Sequence, residues 1–119
     1  MNVEIVKKYK INFQNKLIFG REVDKTPYTG LDLLSMFLYE CKPIRIEESL
    51  LPKINEALNG INSDIEDGTE LVDLIINKDT VVLSMDNGEE NTIPTLEFKE
   101  IVEGWRAFLL LPPSIGTIL

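Results

Sequence analysis

Between residues 95 and 111 the apolar positions of this chain fall at helical intervals. Phe98, Ile101, Val102, Trp105, Phe108 and Leu109 recur at steps of three and four, which aligns them on one stripe of a helix with 3.6 residues per turn. Glu100 and Glu103 fall opposite, with Glu97 and Arg106 on the flanks. Such a stripe needs a partner layer, and the residues before it supply one. Runs 71–77 and 80–85 are β-rich and separated by Lys78-Asp79, and Asp86-Asn87-Gly88 introduces a third run ending at Ile93. Asn-Gly readily takes the positive φ angles of a tight hairpin turn. The pattern therefore predicts a meander followed by a helix opened by Pro94-Thr95, with Thr95 as N-cap and Glu97 near the positive end of the helix dipole.

Toward the other terminus, Val3, Ile5, Tyr9, Ile11, Phe13, Leu17 and Phe19 occupy odd positions, with Lys8, Lys10, Asn12, Gln14, Lys16 and Ile18 between them. That alternation predicts two strands with a turn near Gln14-Asn15, against a short helix over the first eight residues as its rival. Gly20 to Gly30 reads as a loop broken by Pro27, which would present Tyr28 for contact. Residues 31–41 return to helical spacing through Leu31, Leu34, Leu38 and Cys41, widened by Leu33, Met36 and Phe37. Lys42-Pro43 ends this element, since the residue before proline avoids the helical region. Cys41 reads as a buried small side chain, and Tyr39 and Trp105 as packing residues. Ile44-Arg45-Ile46 reads as extended. A second helix runs from Glu48 or Ser49 to Leu58, with Pro52 in its first turn and Asn59-Gly60 closing it. Residues 62–70 read as an acid-rich link. The expected fold is one α+β domain over residues 1–119: an antiparallel sheet, a meander, with helices packed on one face.

Charge divides this picture. The chain carries a formal net charge of −8, yet residues 1–21 hold Lys7, Lys8, Lys10, Lys16 and Arg21 against Glu4. The remaining body is strongly acidic. An acidic body repels phosphate and disfavours nucleic acid as a partner, whereas it attracts cationic proteins in a salt-sensitive way. No run approaches the ~20 apolar residues of a membrane span, and the first residues lack a signal peptide's apolar core, so the expectation is a cytoplasmic protein with no membrane partner.

Chemistry is narrowed by what is missing from the alphabet. The chain has no histidine and one cysteine, which removes imidazole acid–base and nucleophile systems, imidazole zinc sites, intrachain disulfides and thiolate metal clusters. Placing Gly68 at the sixth position of a calcium loop puts Ser63, Ile65 and Asp67 on three ligand positions and Leu74 where a bidentate Glu belongs. Gly20, Gly30 and Gly60 lack phosphate-loop spacing. Neither metal nor cofactor is expected, and no enzymatic activity. Two readings remain for Asp64, Glu66, Asp67, Glu70 and Asp73, with Asp86, Glu89 and Glu90 further on. They form either a solvated acidic loop beside the sheet or a surface that takes the place of substrate phosphates against a nuclease.

Residues 70–110, through the hairpin and then Ile93-Pro94-Thr95-Leu96-Glu97-Phe98-Lys99-Glu100-Ile101-Val102-Glu103-Gly104-Trp105-Arg106-Ala107-Phe108-Leu109, resemble the ending of small bacterial immunity proteins of polymorphic toxin and contact-dependent growth inhibition systems. In those proteins a Phe and a Trp recur in a final helix after a hairpin. The resemblance implies a protein that binds and neutralises a cognate toxin, a basic nuclease domain, in the cytoplasm of the producing cell. Tyr28 joins the eight acids as an expected contact. The first alternative is a structural or assembly subunit, a homodimer or larger homo-oligomer formed through the basic amino-terminal arm and the apolar tail Ile115, Ile118 and Leu119; the second is a metal-dependent enzyme that works through carboxylates.

Overall fold

Helix α5 (Thr95–Leu110) is the member against which the other layers pack. Its stripe is buried as its spacing predicts except at Leu109, which is half-buried: Phe98, Ile101, Val102, Trp105 and Phe108 are all removed from solvent. The computed structural model describes residues 1–20, 22–113 and 116–117. Along them run α1 (Val3–Lys8), β1 (Asn12–Ile18), β2 (Glu22–Tyr28), α2 (Asp32–Tyr39), α3 (Pro43–Arg45), a π-helical turn (Ile46–Leu50), α4 (Leu51–Leu58), β3 (Ile65–Gly68), β4 (Asp73–Ile76), β5 (Thr80–Ser84), β6 (Glu90–Pro94), α5 and β7 (Gly116–Thr117). The class is α+β. One sheet is the meander β3-β4-β5-β6, and β2-β1-β7 forms a second. No helix among the described residues is long and apolar enough to cross a membrane.

Both meander turns form where the sequence places them. Asn77 N–H donates to Thr80 O at 2.9 Å across Lys78-Asp79, and Gly88 takes a φ of +91° in the second turn. Thr95 differs from its expected role as N-cap. It is the first helical residue, and its hydroxyl donates to Asn77 O at 2.6 Å, tying α5 to the β4–β5 turn.

Five further expectations are corrected. The first eight residues take the helical alternative, capped by Asn2, whose side chain accepts from Glu4 N–H. No turn occurs at Gln14-Asn15: β1 runs straight through them, and Phe19 and Gly20 turn the chain with φ of +52° and +69°. The expected loop 20–30 instead holds β2, paired antiparallel with β1 from Asn12↔Tyr28 to Ile18↔Glu22; Pro27 is tolerated because β2 is an edge strand. Ile44-Arg45-Ile46 is helical, not extended. Pro43 occupies the first turn, where a missing N–H is harmless, and the chain stays helical over residues 43–58 because Leu51 N–H reaches back five residues to Ile46 O. Widening the turn just before Pro52 relieves the clash its ring would make in regular α geometry. The acid-rich link, finally, contains β3.

Trp105 joins the two halves of the core. Its ring meets Phe13 of β1 edge-on at 4.9 Å and stacks near Phe108 at 5.7 Å, and its indole N–H donates to Leu38 O of α2 at 2.7 Å. Nearer the start of α5, Phe98 faces Phe37 of α2. Lys25 of β2 closes the other end of α5, where its ammonium donates to Phe108 O at 2.6 Å and Leu111 O at 2.5 Å. A cation is favoured there because the last carbonyls of a helix have no partners of their own. Cys41 is buried as expected, and burial pushes its thiol up to about 11. Tyr39 is 52 % exposed, its hydroxyl donating to Asp24, and is not the packing residue its helical position suggested.

The basic arm is docked. Asn2 N–H donates to Glu100, and Lys8 and the Tyr9 hydroxyl both donate to Glu97, at 2.8 and 2.5 Å. Those bonds, Lys8 first, hold the Glu97 carboxyl below its ordinary range, while burial and Glu97 raise the Tyr9 phenol. A lowered folded-state value means the contribution to stability is full above the unfolded-state value and is lost as pH falls through the folded one. Glu97→Gln is therefore expected to flatten the acid limb of a stability–pH curve measured by urea unfolding. Of the apolar tail, Gly116 and Thr117 pair with Asn15 and Gln14 of β1; Ile115, Ile118 and Leu119 lie outside the described residues.

Candidate protein-binding face

Strand alternation sorts the meander residues onto two faces, and the pairing register says which is which. The rows Ile65–Ile76–Val81–Ile93 and Asp67–Leu74–Leu83–Asn91 look toward the helices, and Leu74, Ile76, Val81, Leu83 and Ile93 are buried there. The rows Glu66–Ile75–Val82–Thr92 and Gly68–Asp73–Ser84–Glu90 make up the opposite face. Glu66, Asp73 and Glu90 are exposed on it, while Ile75 and Val82 are half-buried between them. None of the residues of β3, β4, β5 or β6 is Lys or Arg. From strand spacing, Asp73 and Glu90 stand about 10 Å apart, two strands removed, with Glu66 on a diagonal to Asp73.

The meander also decides which loops meet. Its first and third connections lie at one end, so Glu70, in the turn between β3 and β4, shares that end with Asp86 and Glu89, in the turn between β5 and β6. The first turn is tight enough to require glycine: a Cβ on Gly68 would come 2.8 Å from Val72 O. In the second, Glu89 N–H donates to Asn87 Oδ1 at 2.9 Å, which fixes the turn while leaving the Asp86 and Glu89 side chains exposed. The row Asp73–Ser84–Glu90 borders the same end. Glu66, Glu70, Asp73, Asp86, Glu89 and Glu90 thus form one acidic end and face.

No family model, no curated protein and no solved structure matches the chain.

The geometry accordingly carries the functional reading, and it separates three expected contacts from the rest. Asp67 points inward. Its side chain is 5 % exposed and accepts from Arg45 of α3 and, at 3.5 Å, from Lys53 of α4, so it ties β3 to the helices and is withdrawn from any partner. Asp64 sits at the opposite end of the meander, joined to Asn77: its backbone N–H donates to Asn77 Oδ1 at 2.7 Å, and Asn77 Nδ2 donates to its carboxylate at 3.0 Å. Tyr28 lies on β2 of the other sheet, not in a loop, and accepts from Lys16 at 3.1 Å. Sequence reasoning did not find Ile75 and Val82. The signal was present, because in β4 and β5 the pairs Ile75-Ile76 and Val81-Val82 break alternation, and one member of each must face away from the core.

Chemically this face offers charge and apolar area rather than reactive groups. Six carboxylates with no basic residue among the strands set up a negative field, and two aliphatic side chains at the centre offer area that a partner can dry. Among the described residues no group of three or more His, Cys, Asp or Glu side chains is placed to hold a metal ion.

Proposed function

We propose that the chain is an immunity protein that binds a cationic toxin domain, a nuclease, through the acidic end of its meander and so blocks access of the phosphate-bearing substrate. The observation that supports this most is the gathering of Glu66, Glu70, Asp73, Asp86, Glu89 and Glu90 around Ile75 and Val82 on a sheet face without a basic strand residue. A nuclease presents Lys and Arg where substrate phosphates lie, and a carboxylate surface of matching extent is attracted to the same groups. The aliphatic centre would supply slow dissociation, and the acidic rim fast encounter.

The test is complex formation with the toxin encoded next to this gene. Stopped-flow association should be fast at low salt and fall steeply as salt rises. The triple variant Glu66→Gln, Asp73→Asn, Glu90→Gln is expected to associate about 10- to 100-fold more slowly at low salt. Its melting temperature should stay at the wild-type value, because the three side chains are exposed. Absence of a complex at micromolar concentration, or association indifferent to salt and to the triple variant, would refute the proposal.

A further inference from the structure

The second sheet carries a surface of different character. Phe19 at the tip of the β1–β2 hairpin is 94 % exposed, and Tyr28 (40 %), on β2, and Tyr39, on α2, are exposed as well. Beside the tip, the hairpin and α2 enclose an open groove of about 610 Å³ lined by these residues together with Met36. Isolated exposed hydrophobes are ordinary, but a contiguous set around a concavity marks an interaction site. The backbone adds a separate pointer. Phe19 holds a φ of +52°, a left-handed conformation suited to Gly or Asn and unfavourable for a bulky side chain. The turn would form more readily without the phenyl ring it displays.

Charge indicates the occupant. Among the described residues the groove is lined by one cation and one anion, Lys16 and Asp24, which are register partners on β1 and β2. Instead of pairing with each other, Lys16 donates to the Tyr28 hydroxyl and Asp24 accepts from the Tyr39 hydroxyl. These two charges balance, in contrast to the acids at the end of the meander, and give a cationic partner no electrostatic reason to prefer this groove. A projecting ring, a groove that can take a ring, a cation and an anion on one patch satisfy one another when the patch meets its own copy across a two-fold axis.

We infer that the chain forms a reversible homodimer in which Phe19 of each copy enters the groove of the other, with Lys16 of one copy facing Asp24 of its partner. The three exposed aromatic side chains offer on the order of 400 Å² per copy, short of the roughly 800 Å² per partner of a standard stable interface. The dimer is correspondingly weak and reversible. It leaves the acidic end of the meander, on the other sheet, open to a partner.

Sedimentation velocity of the full chain from about 5 to 500 µM reads this directly, since a small, weak interface fills only toward high concentration. The weight-average mass should rise toward twice the monomer. Phe19→Asn suits the left-handed turn and should leave the melting temperature equal or higher while weakening dimerisation more than tenfold; a merely structural Phe19 would behave in the opposite way. Lys16→Glu should weaken the dimer, and adding Asp24→Lys should restore it. A wild-type chain that stays monomeric at the highest concentration overturns the inference, whether or not the groove binds the toxin instead. So does a dimer indifferent to Phe19→Asn, which would place the contact on another face.

Discussion

Replacing Asp67 with alanine is expected to lower the unfolding free energy by about 3 kcal/mol, the lower end of what breaking a buried charge pair costs. The side chain is 5 % exposed and sits on the inward row of β3, where it accepts from Arg45 and Lys53 and from Gly68 N–H at 2.6 Å. Arg45 is held by more than this carboxylate. It donates to Gly68 O at 2.6 Å and to Cys41 Sγ at 3.2 Å, and its guanidinium lies 5.6 Å from the centre of the Phe37 ring. Without Asp67 the cation stays against an apolar wall with only neutral acceptors, because the Cys41 thiol, with its raised value of about 11, remains protonated at neutral pH. Partial exposure of Arg45 lets water recover part of the loss, which is why the lower end of the range applies. Glu66→Ala, one residue away on the outward row, should change stability by no more than about 0.5 kcal/mol. Urea unfolding of the two variants compares the faces directly, and equal losses would show that the register of β3 is wrong.

That pair of neighbours also shows what could be read from the sequence and what could not. Helix α5 and the turns at Lys78-Asp79 and Asp86-Asn87-Gly88 are specified locally, by spacing and by turn chemistry, and were legible. Strands β2 and β3 were not, because one carries Pro27 and the other is mostly acid and glycine; each is a strand through its neighbour's hydrogen bonds rather than its own propensity. The helical course of residues 43–58 was obscured by two prolines that ordinarily mark boundaries, one placed in a first turn and the other following a π-helical turn. For the candidate site, composition gave the acids but not their side of the sheet. Glu66 and Asp67 are adjacent in sequence and opposite in role, a distinction that only register supplies. The exposed hairpin tip was masked in the same way: Leu17 and Phe19 continue the alternation of Ile11 and Phe13, but the hairpin extends beyond the core that buries the first two.

Trp105→Ala should be the most damaging single substitution away from any binding surface, with a loss of about 4 kcal/mol. The indole fills the junction of β1, α2 and α5, so its removal leaves a cavity bounded by Phe13 and Phe108, aromatic rings that cannot collapse into it without moving strand and helix together. Leu38 O would also lose the indole donor it now has at 2.7 Å in a site closed to water, keeping only Cys41 N–H at 3.0 Å. Trp105→Phe separates the two contributions, since it keeps most of the aromatic packing but takes the indole donor from a carbonyl left with Cys41 N–H alone; its expected cost is about 2 kcal/mol. Because Trp105 is the only tryptophan, its emission serves as the probe for wild type, and far-ultraviolet circular dichroism follows the variants. If Trp105→Phe is as damaging as Trp105→Ala, the hydrogen bond to α2 dominates. If it costs nothing, the junction is held by ring packing alone, and the indole N–H has no part in fixing α2 against α5.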